Sequence, residues 1–133
     1  MKKRIVFCWL YCLAVASTSA ALVVKVAQPA TTGTKVIAKL ELQNTYAEKI
    51  ESVRAAIFLL DDQGKVVGHS TSWIIGGGKD KPSLGSNAET TYNFLINTYK
   101  PFSKTKLMVE RILLENGKLG NALKDVQITY ATK

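Results

Sequence analysis

Cysteine is rare in this sequence, and histidine is rarer still. The two cysteines, Cys8 and Cys12, lie in an N-terminal segment with the pattern of a cleaved leader, so the remaining chain has no thiol. A chain without thiols has no disulfide, no thiolate nucleophile and no zinc–cysteine site. The single histidine, His69, has no second nitrogen ligand at a recognisable spacing, and we interpret it as a surface or partly packed residue. We therefore predict no bound metal and no cofactor.

Long apolar runs are also missing, except for one near the N-terminus. Basic residues 2–4 precede the apolar residues 5–16, and the small residues 17–21 follow, which is the pattern of a secretory signal peptide. The apolar run is shorter than the ~20 residues that a membrane-spanning helix needs. We predict that residues 1–21 are a signal peptide and that residues 22–133 form one periplasmic or extracellular domain without a transmembrane segment.

No phosphate-binding motif is complete in the glycine-rich segment that reads SWIIGGGKDK. A P-loop has a glycine five positions before its Gly-Lys pair, where this chain has Trp73, and a serine or threonine after the lysine, where it has Asp80. The dinucleotide-binding pattern G-x-G-x-x-G, begun at Gly76, would end at Lys81 instead of a glycine. We predict that residues 76–86 connect two sheets and do not bind phosphate.

Residues that act together in hydrolysis are not grouped either. Ser70 and Ser72 lie close to the histidine along the chain, but neighbours on a strand point to opposite faces, and no G-x-S-x-G motif is present. Asp61 and Asp62 precede a Gln-Gly pair, which favours a turn held by aspartate side chains over a calcium loop. We therefore predict that the protein is not an enzyme.

Basic residues exceed acidic ones, but they form no block. Three of the 18 Lys and Arg residues lie in the leader, which leaves 15 against 10 acids and a charge near +5. Clustered arginines and aromatic platforms are missing, which makes nucleic acid a poor partner. If the fold brings lysines together, they form a site for an anionic polysaccharide or a lipid head group. The candidates for such a cluster are Lys79, Lys81, Lys100, Lys104 and Lys106.

Alternation of apolar and polar residues predicts strands in most segments of the mature chain. The clearest is residues 36–43, in which every second residue is apolar. Residues 50–61 are apolar on both faces, which predicts a central strand. Residues 106–115 also suit a helix by composition, but Asn116-Gly117 directly after them is a hairpin signal that favours a strand. The other predicted strands are residues 22–26, 66–75, 88–97 and 126–131.

About seven short strands with no convincing helix predict an all-β fold, an antiparallel β-sandwich of the immunoglobulin type. An open barrel with a similar number of strands is the alternative. The cysteine pair of antibody domains is absent, so the prediction concerns the broader architecture.

One part of the sequence resembles a known family. The segment LELQN at 40–44 is followed by apolar residues, by IFLLD at 57–61 and by GKVVG at 64–68. This order is similar to that of bacterial envelope domains named for an F-x-L-Y-D motif, with Leu59 and Asp61 at the L and D positions and other residues at F and Y. The resemblance implies an immunoglobulin-like sandwich in an exported protein and transfers no catalytic residue.

With no reactive group assembled, the sequence predicts a protein that acts by contact with another envelope or extracellular protein. We expect the contact surface to be formed by two loops at one end of the sandwich, residues 76–86 and 99–104, because aromatic residues in loops next to lysine are typical of interfaces. We expect Trp73 to plug that end. The predicted contact residues are Trp73, Gly76, Gly77, Gly78, Lys79, Lys81, Tyr99, Lys100 and Phe102.

Overall fold

The fold consists almost entirely of β-strands. A computed structural model describes residues 21–78 and 82–131; the predicted signal peptide, apart from its last residue, and Lys79 and Lys81 lie outside the described residues. The strands are β1 (Leu22–Val26), β2 (Ala30–Thr32), β3 (Lys35–Asn44), β4 (Ile50–Leu60), β5 (Val66–Ile75), β6 (Glu89–Asn97), β7 (Lys104–Leu114) and β8 (Val126–Tyr130). Between β7 and β8 lies one 3₁₀ turn, Glu115–Gly117. In the described part of the chain, no helix is long and apolar enough to span a membrane.

All seven predicted strands are present, and an eighth was missed. The predictions for β1 and β5 agree with the structure at both ends, and β7 is a strand rather than a helix. The missed strand is β2, which has only three residues, all of them exposed, and therefore no apolar alternation in its sequence. It forms because it lies beside the start of β3, where Thr31 is opposite Val36.

The strands form two sheets. In the smaller sheet the order is β5-β4-β7, with antiparallel pairing throughout, so β4 is the central strand that its apolar sequence predicts. In the larger sheet β3 is central, with β6 on one side and both β1 and β2 on the other. The last strand, β8, pairs with β1 in parallel, with Leu22 opposite Val126.

The core lies between the two sheets. Every second residue of β3 is buried, from Val36 to Leu42, and β4 contributes Val53, Ile57 and Leu59 from the other sheet. Because strand side chains alternate between two faces, each sheet presents one apolar face to the other. The predicted all-β sandwich is therefore confirmed in preference to the barrel, although the β1–β8 pair makes it antiparallel only in part.

Two predicted turns have different outcomes. Residues 61–65 form the expected turn, in which the Asp61 carboxylate accepts backbone N–H bonds from Gln63 at 2.8 Å and Lys65 at 2.9 Å. The Asn116-Gly117 pair also turns the chain, with positive φ at both residues. The prediction of a hairpin there is wrong. Only one β-bridge, between Leu113 and Leu119, follows the turn, and the chain then crosses to the other sheet, where β8 pairs with β1 instead of β7.

A buried amide organises the connections at one end of the sandwich. Asn44, the last residue of β3, is fully buried, and its Nδ2 donates to the carbonyls of Glu48 and Leu84, both at 2.9 Å, and of Gly85 at 3.1 Å. Its Oδ1 accepts the backbone N–H of Tyr46 at 2.8 Å. One side chain thus fixes the loop after β3 and the segment that precedes β6.

We expect the substitution Asn44→Ala to lower the free energy of unfolding by about 3 kcal/mol, because several buried carbonyls and one N–H lose their partner. The matched control is Gln43→Ala, on the opposite face of the same strand, for which a change below ~0.5 kcal/mol is expected. Urea unfolding followed by circular dichroism measures both values. Equal losses in the two variants would contradict the role assigned to the amide.

Candidate functional site

The two loops predicted to form one contact surface lie at opposite ends of the sandwich. Leu84, in the glycine-rich loop, exchanges backbone hydrogen bonds with Ile50 at the start of β4. Ser103, after the aromatic loop, donates its N–H to the carbonyl of Leu60 at the end of β4, at 2.8 Å. The eleven residues of β4 separate these points by about 33 Å. The expectation of a single end is therefore wrong, because the chain traverses β6 between the two loops.

The first two glycines of the glycine-rich loop have structural roles. Gly76 has φ +60° and is buried, and a Cβ placed there would overlap the Glu51 carbonyl oxygen. Gly77 has φ +82°, and a Cβ there would overlap the ring of Trp73. Only glycine tolerates both the conformation and the close contact. Gly78 differs, since its φ is not positive and a Cβ would have no neighbour within 4 Å.

Trp73 does not plug an end of the sandwich. It is half-buried on β5 opposite Arg54, whose guanidinium carbon lies 5.5 Å from the centre of the indole ring, and Gly77 lies against the ring. Cation–π contact and the glycine together hold the ring against the outer surface of the smaller sheet. The glycine loop and Trp73 thus form a packing unit.

The opposite end of the sandwich carries two clefts that share one aromatic residue, Phe102. The larger, of about 570 Å³, lies between the β1–β2 connection, the start of β7 and the end of β8. The smaller, of about 460 Å³, lies between the β2–β3 turn and the loop that holds Tyr99. We call this region, with Tyr99, Lys100, Phe102, Lys104 and Tyr130, the Phe102 end.

A buried threonine sets the conformation of the aromatic loop. Thr98 donates its N–H to Thr34 at 2.9 Å and its hydroxyl to the carbonyl of Val67, also at 2.9 Å, and the hydroxyl accepts the N–H of Lys100 at 3.2 Å. These bonds fix the chain on both sides of Tyr99, whose side chain is 88% exposed. Tyr99 therefore does not cap the core; it projects into solvent from a fixed base.

Charge is distributed unevenly between the two ends. Among the described residues, the loops and strand ends around the Phe102 end carry Lys35, Lys65, Lys100 and Lys104 against Asp61 and Asp62. The Asp61 carboxylate is engaged in its turn, and its backbone hydrogen bond from Lys65 holds the pKa of Asp61 below its usual range. The Phe102 end therefore has an excess of positive charge.

The Asn44 end is richer in acids. Its described charges include five carboxylates, of Glu48, Glu51, Glu89, Glu115 and Asp125, against three lysines, Lys49, Lys118 and Lys124. Asp125 accepts a hydrogen bond from the Tyr46 hydroxyl at 2.8 Å, and burial, followed by this bond, raises the pKa of Tyr46 above its usual value. Glu48 pairs with Lys118 at 2.8 Å, which lowers the pKa of the carboxyl and raises that of the amine.

The described residues form clefts but no cluster of metal-ligating side chains. Within residues 21–78 and 82–131, no three His, Cys, Asp or Glu side chains converge as metal ligands. His69 is exposed and stacks on Phe58 at 6.2 Å between ring centres, which matches its interpretation as a surface residue. Three of the predicted contact residues, Tyr99, Lys100 and Phe102, come together at the Phe102 end.

Sequence reasoning missed several residues of this site. Tyr130 and the connection at 26–29 line the larger cleft, and Lys35 and Lys65 lie at the same end of the sandwich. The residues lie far apart in sequence, so only the pairing of β8 with β1 reveals their proximity. Pro29 is the one residue whose type indicates the break between β1 and β2 at this cleft, because proline marks an interruption or edge of a strand.

Comparison with known proteins supports the fold. No family model matches the chain, and no curated protein matches it. Among solved structures, the chain is similar to IrmA from Escherichia coli, with a TM-score of 0.57 and 12% identity, covering 81% of this chain and 90% of that one. It is also similar to the putative ApaA protein from Bordetella pertussis, with a TM-score of 0.54 and 15% identity, covering 74% and 84%. At these identities the likeness concerns the fold alone.

We expect Gly76→Ala to lower the free energy of unfolding by about 3 kcal/mol, because the new methyl group combines a left-handed backbone with a clash against Glu51. Gly78→Ala, two residues further on, is the matched control and should change stability by less than ~0.5 kcal/mol. Thermal and urea unfolding measure both. If the two variants were equally stable, the packing role of Gly76 would be wrong.

Proposed function

We propose that this protein is an exported, non-enzymatic domain that binds another envelope or extracellular protein through the Phe102 end. The observation that carries the proposal is the combination of a fully projecting tyrosine, a half-buried phenylalanine between two clefts and an excess of lysines. Aromatic residues are enriched at the centres of interfaces and supply much of their affinity. Positive charge around them favours a partner segment rich in Asp and Glu.

Export is supported by the sequence. The N-terminal pattern is that of a secretory signal peptide, and the residues that resemble the F-x-L-Y-D envelope domains occupy structural positions in the sandwich. Leu59 is buried in the core, and Asp61 holds the turn between β4 and β5. These roles suit a scaffold that presents loops, and the loop that carries Tyr99 belongs to the end we assign to binding.

The second candidate function is binding of an anionic polysaccharide or a lipid head group at the same end. Lys35, Lys65, Lys100 and Lys104 favour it. The sequence predicts a cluster of Lys100, Lys104 and Lys106 with Lys79 and Lys81. The described residues on both sides of Lys79 and Lys81 lie at the Asn44 end of the sandwich instead. The protein partner is the stronger proposal because Tyr99 and Phe102 add apolar contact area that an anionic surface does not need.

The proposal predicts that charge reversal at the Phe102 end releases the partner. The double variant Lys100→Glu, Lys104→Glu should bind a partner recovered from the envelope fraction about tenfold more weakly, and Tyr99→Ala by a similar factor. The matched control, Lys124→Glu, makes one such change at the Asn44 end and should leave binding unchanged. Affinity is measured by biolayer interferometry at two salt concentrations. Screening by salt should weaken partner binding by the parent protein but not by the charge-reversed variant.

Two results would contradict the protein-binding proposal. The first is equal loss of binding in the control and the double variant, which would place the contact elsewhere. The second is a rise in melting temperature with an acidic polysaccharide or anionic vesicles at low salt, lost at high salt and independent of Tyr99, with no protein recovered. That second result would favour the anionic ligand.

A further inference from the structure

The two sheets differ in width, and this leaves one strand without a facing neighbour. On one side of the sandwich β5 and β6 adjoin, with the Tyr92 hydroxyl donating to Ser72 Oγ at 2.8 Å. Counted from that side, the smaller sheet is three strands wide and the larger sheet four, so none of the described strands lies opposite β8. Burial agrees with this, because the inward residues of β1 are buried whereas those of β8 are only partly covered.

Along the first half of β7, no described strand pairs with the edge that lies beneath β8. Among the described strands, β7 pairs only with β4. The Leu107 N–H donates to the hydroxyl of Tyr130 at 2.9 Å and therefore points away from β4. Because backbone groups alternate in direction along an antiparallel ladder, the N–H and C=O groups of Thr105 and Val109 point to the same open side. Further along, Gly120 and Leu119 bond to β7 and close this edge.

The side chain of Tyr130 separates β8 from β7. Its side chain reaches from β8 to Leu107, so β7 and β8 lie farther apart than the ~4.8 Å at which strands pair directly. The larger cleft, of about 570 Å³, opens at the start of this gap. It is lined by residues 102–105 at the start of β7 and by Tyr130 and Ala131 at the end of β8. An added strand would therefore enter from the Phe102 end.

We propose that an extended segment of the partner adds to β7 as a fourth strand of the smaller sheet, over Lys104–Val109. The inference deepens the proposed function and rests on it, because it names the class of partner segment. Backbone hydrogen bonds to Thr105, to Val109 and to the carbonyl of Leu107 would hold the segment, as in other cases of strand addition to a sheet edge.

The residues of β7 specify the sequence of that segment. Leu107 and Val109 face inward and are buried, and the partly covered Val126 and Ile128 lie above the open position, so alternate residues of the segment are apolar. The outward residues are Lys104, Lys106 and Met108, all exposed, so the segment residues opposite the two lysines are acidic. A second copy of the chain is a poor occupant, because lysines on an exposed edge oppose pairing between copies.

The test uses labelled synthetic peptides and the processed protein. The probe contains three Val-Glu repeats. One control has the same composition with the valines and glutamates in separate blocks, and another has three Val-Lys repeats. In fluorescence anisotropy the alternating acidic peptide should bind at least about tenfold more tightly than either control, since only it satisfies both faces of the open position.

Two substitutions locate the binding site. Thr105→Pro removes an N–H on the open side without removing a bond to β4, and it should weaken the probe about tenfold or more. Tyr130→Phe frees the Leu107 N–H for the peptide and should strengthen binding about fivefold, the value of one hydrogen bond. Circular dichroism verifies that both variants fold. If Thr105→Pro fails to fold, the affinity of Tyr130→Phe for the probe decides the test.

Hydrogen exchange provides the direct readout, because the amides of Thr105 and Val109 should become protected when the probe binds. Unchanged binding in both variants, or a dimer of the protein that protects the same amides without peptide, would overturn the strand addition. An envelope partner that releases on charge reversal but binds Thr105→Pro as tightly as the parent would keep the proposed function and overturn this inference. Tight, Thr105-dependent peptide binding with no partner recovered would support the inference alone.

Discussion

The structure depends first on the burial of one amide. Asn44 lies at the end of β3, where its amide donates to three backbone carbonyls and accepts one backbone N–H, all from two separate loops. A buried polar side chain of this kind is stable only when every bond is made, so it permits one arrangement of the loops and excludes neighbouring ones. The Asn44 end is consequently organised from inside, by the core side of β3, rather than by contacts on its surface.

The contrast between the two ends follows from this organisation. The Asn44 end is fixed by buried bonds, by the Tyr46–Asp125 contact and by glycines whose conformations no other residue adopts easily. The Phe102 end is fixed at its base by Thr98 but presents open clefts and a projecting aromatic ring. In many proteins, binding residues lie on loops that a rigid scaffold holds in position. The sandwich therefore has one end fixed by buried contacts and another with open clefts and an exposed ring, which is the end at which we propose binding.

The sequence predicted the strands well because the alternation in β3, β6 and β8 has a direct physical cause, the burial of one sheet face. It did not predict which strands would be neighbours. The Asn116-Gly117 pair specifies a local turn, and it carries no information on whether the chain after it stays in the same sheet. For the same reason the two loops were placed at one end, although β6 separates them, and Tyr130 was not associated with Phe102. Tyr99 and Phe102 could be predicted as contact residues because they flank a lysine in a connecting loop, whereas the clefts beside them depend on long-range pairing.

The parallel pairing of the first and last strands has a kinetic consequence. β1 begins at Leu22, and the neighbour that completes its sheet begins at Val126. β1 therefore has one side unpaired until β8, about 100 residues further along the chain, reaches it. Contacts between such distant residues close slowly, because the chain between them loses entropy before the contact stabilises it. The topology thus makes the pairing of β1 with β8 one of the slow steps of folding.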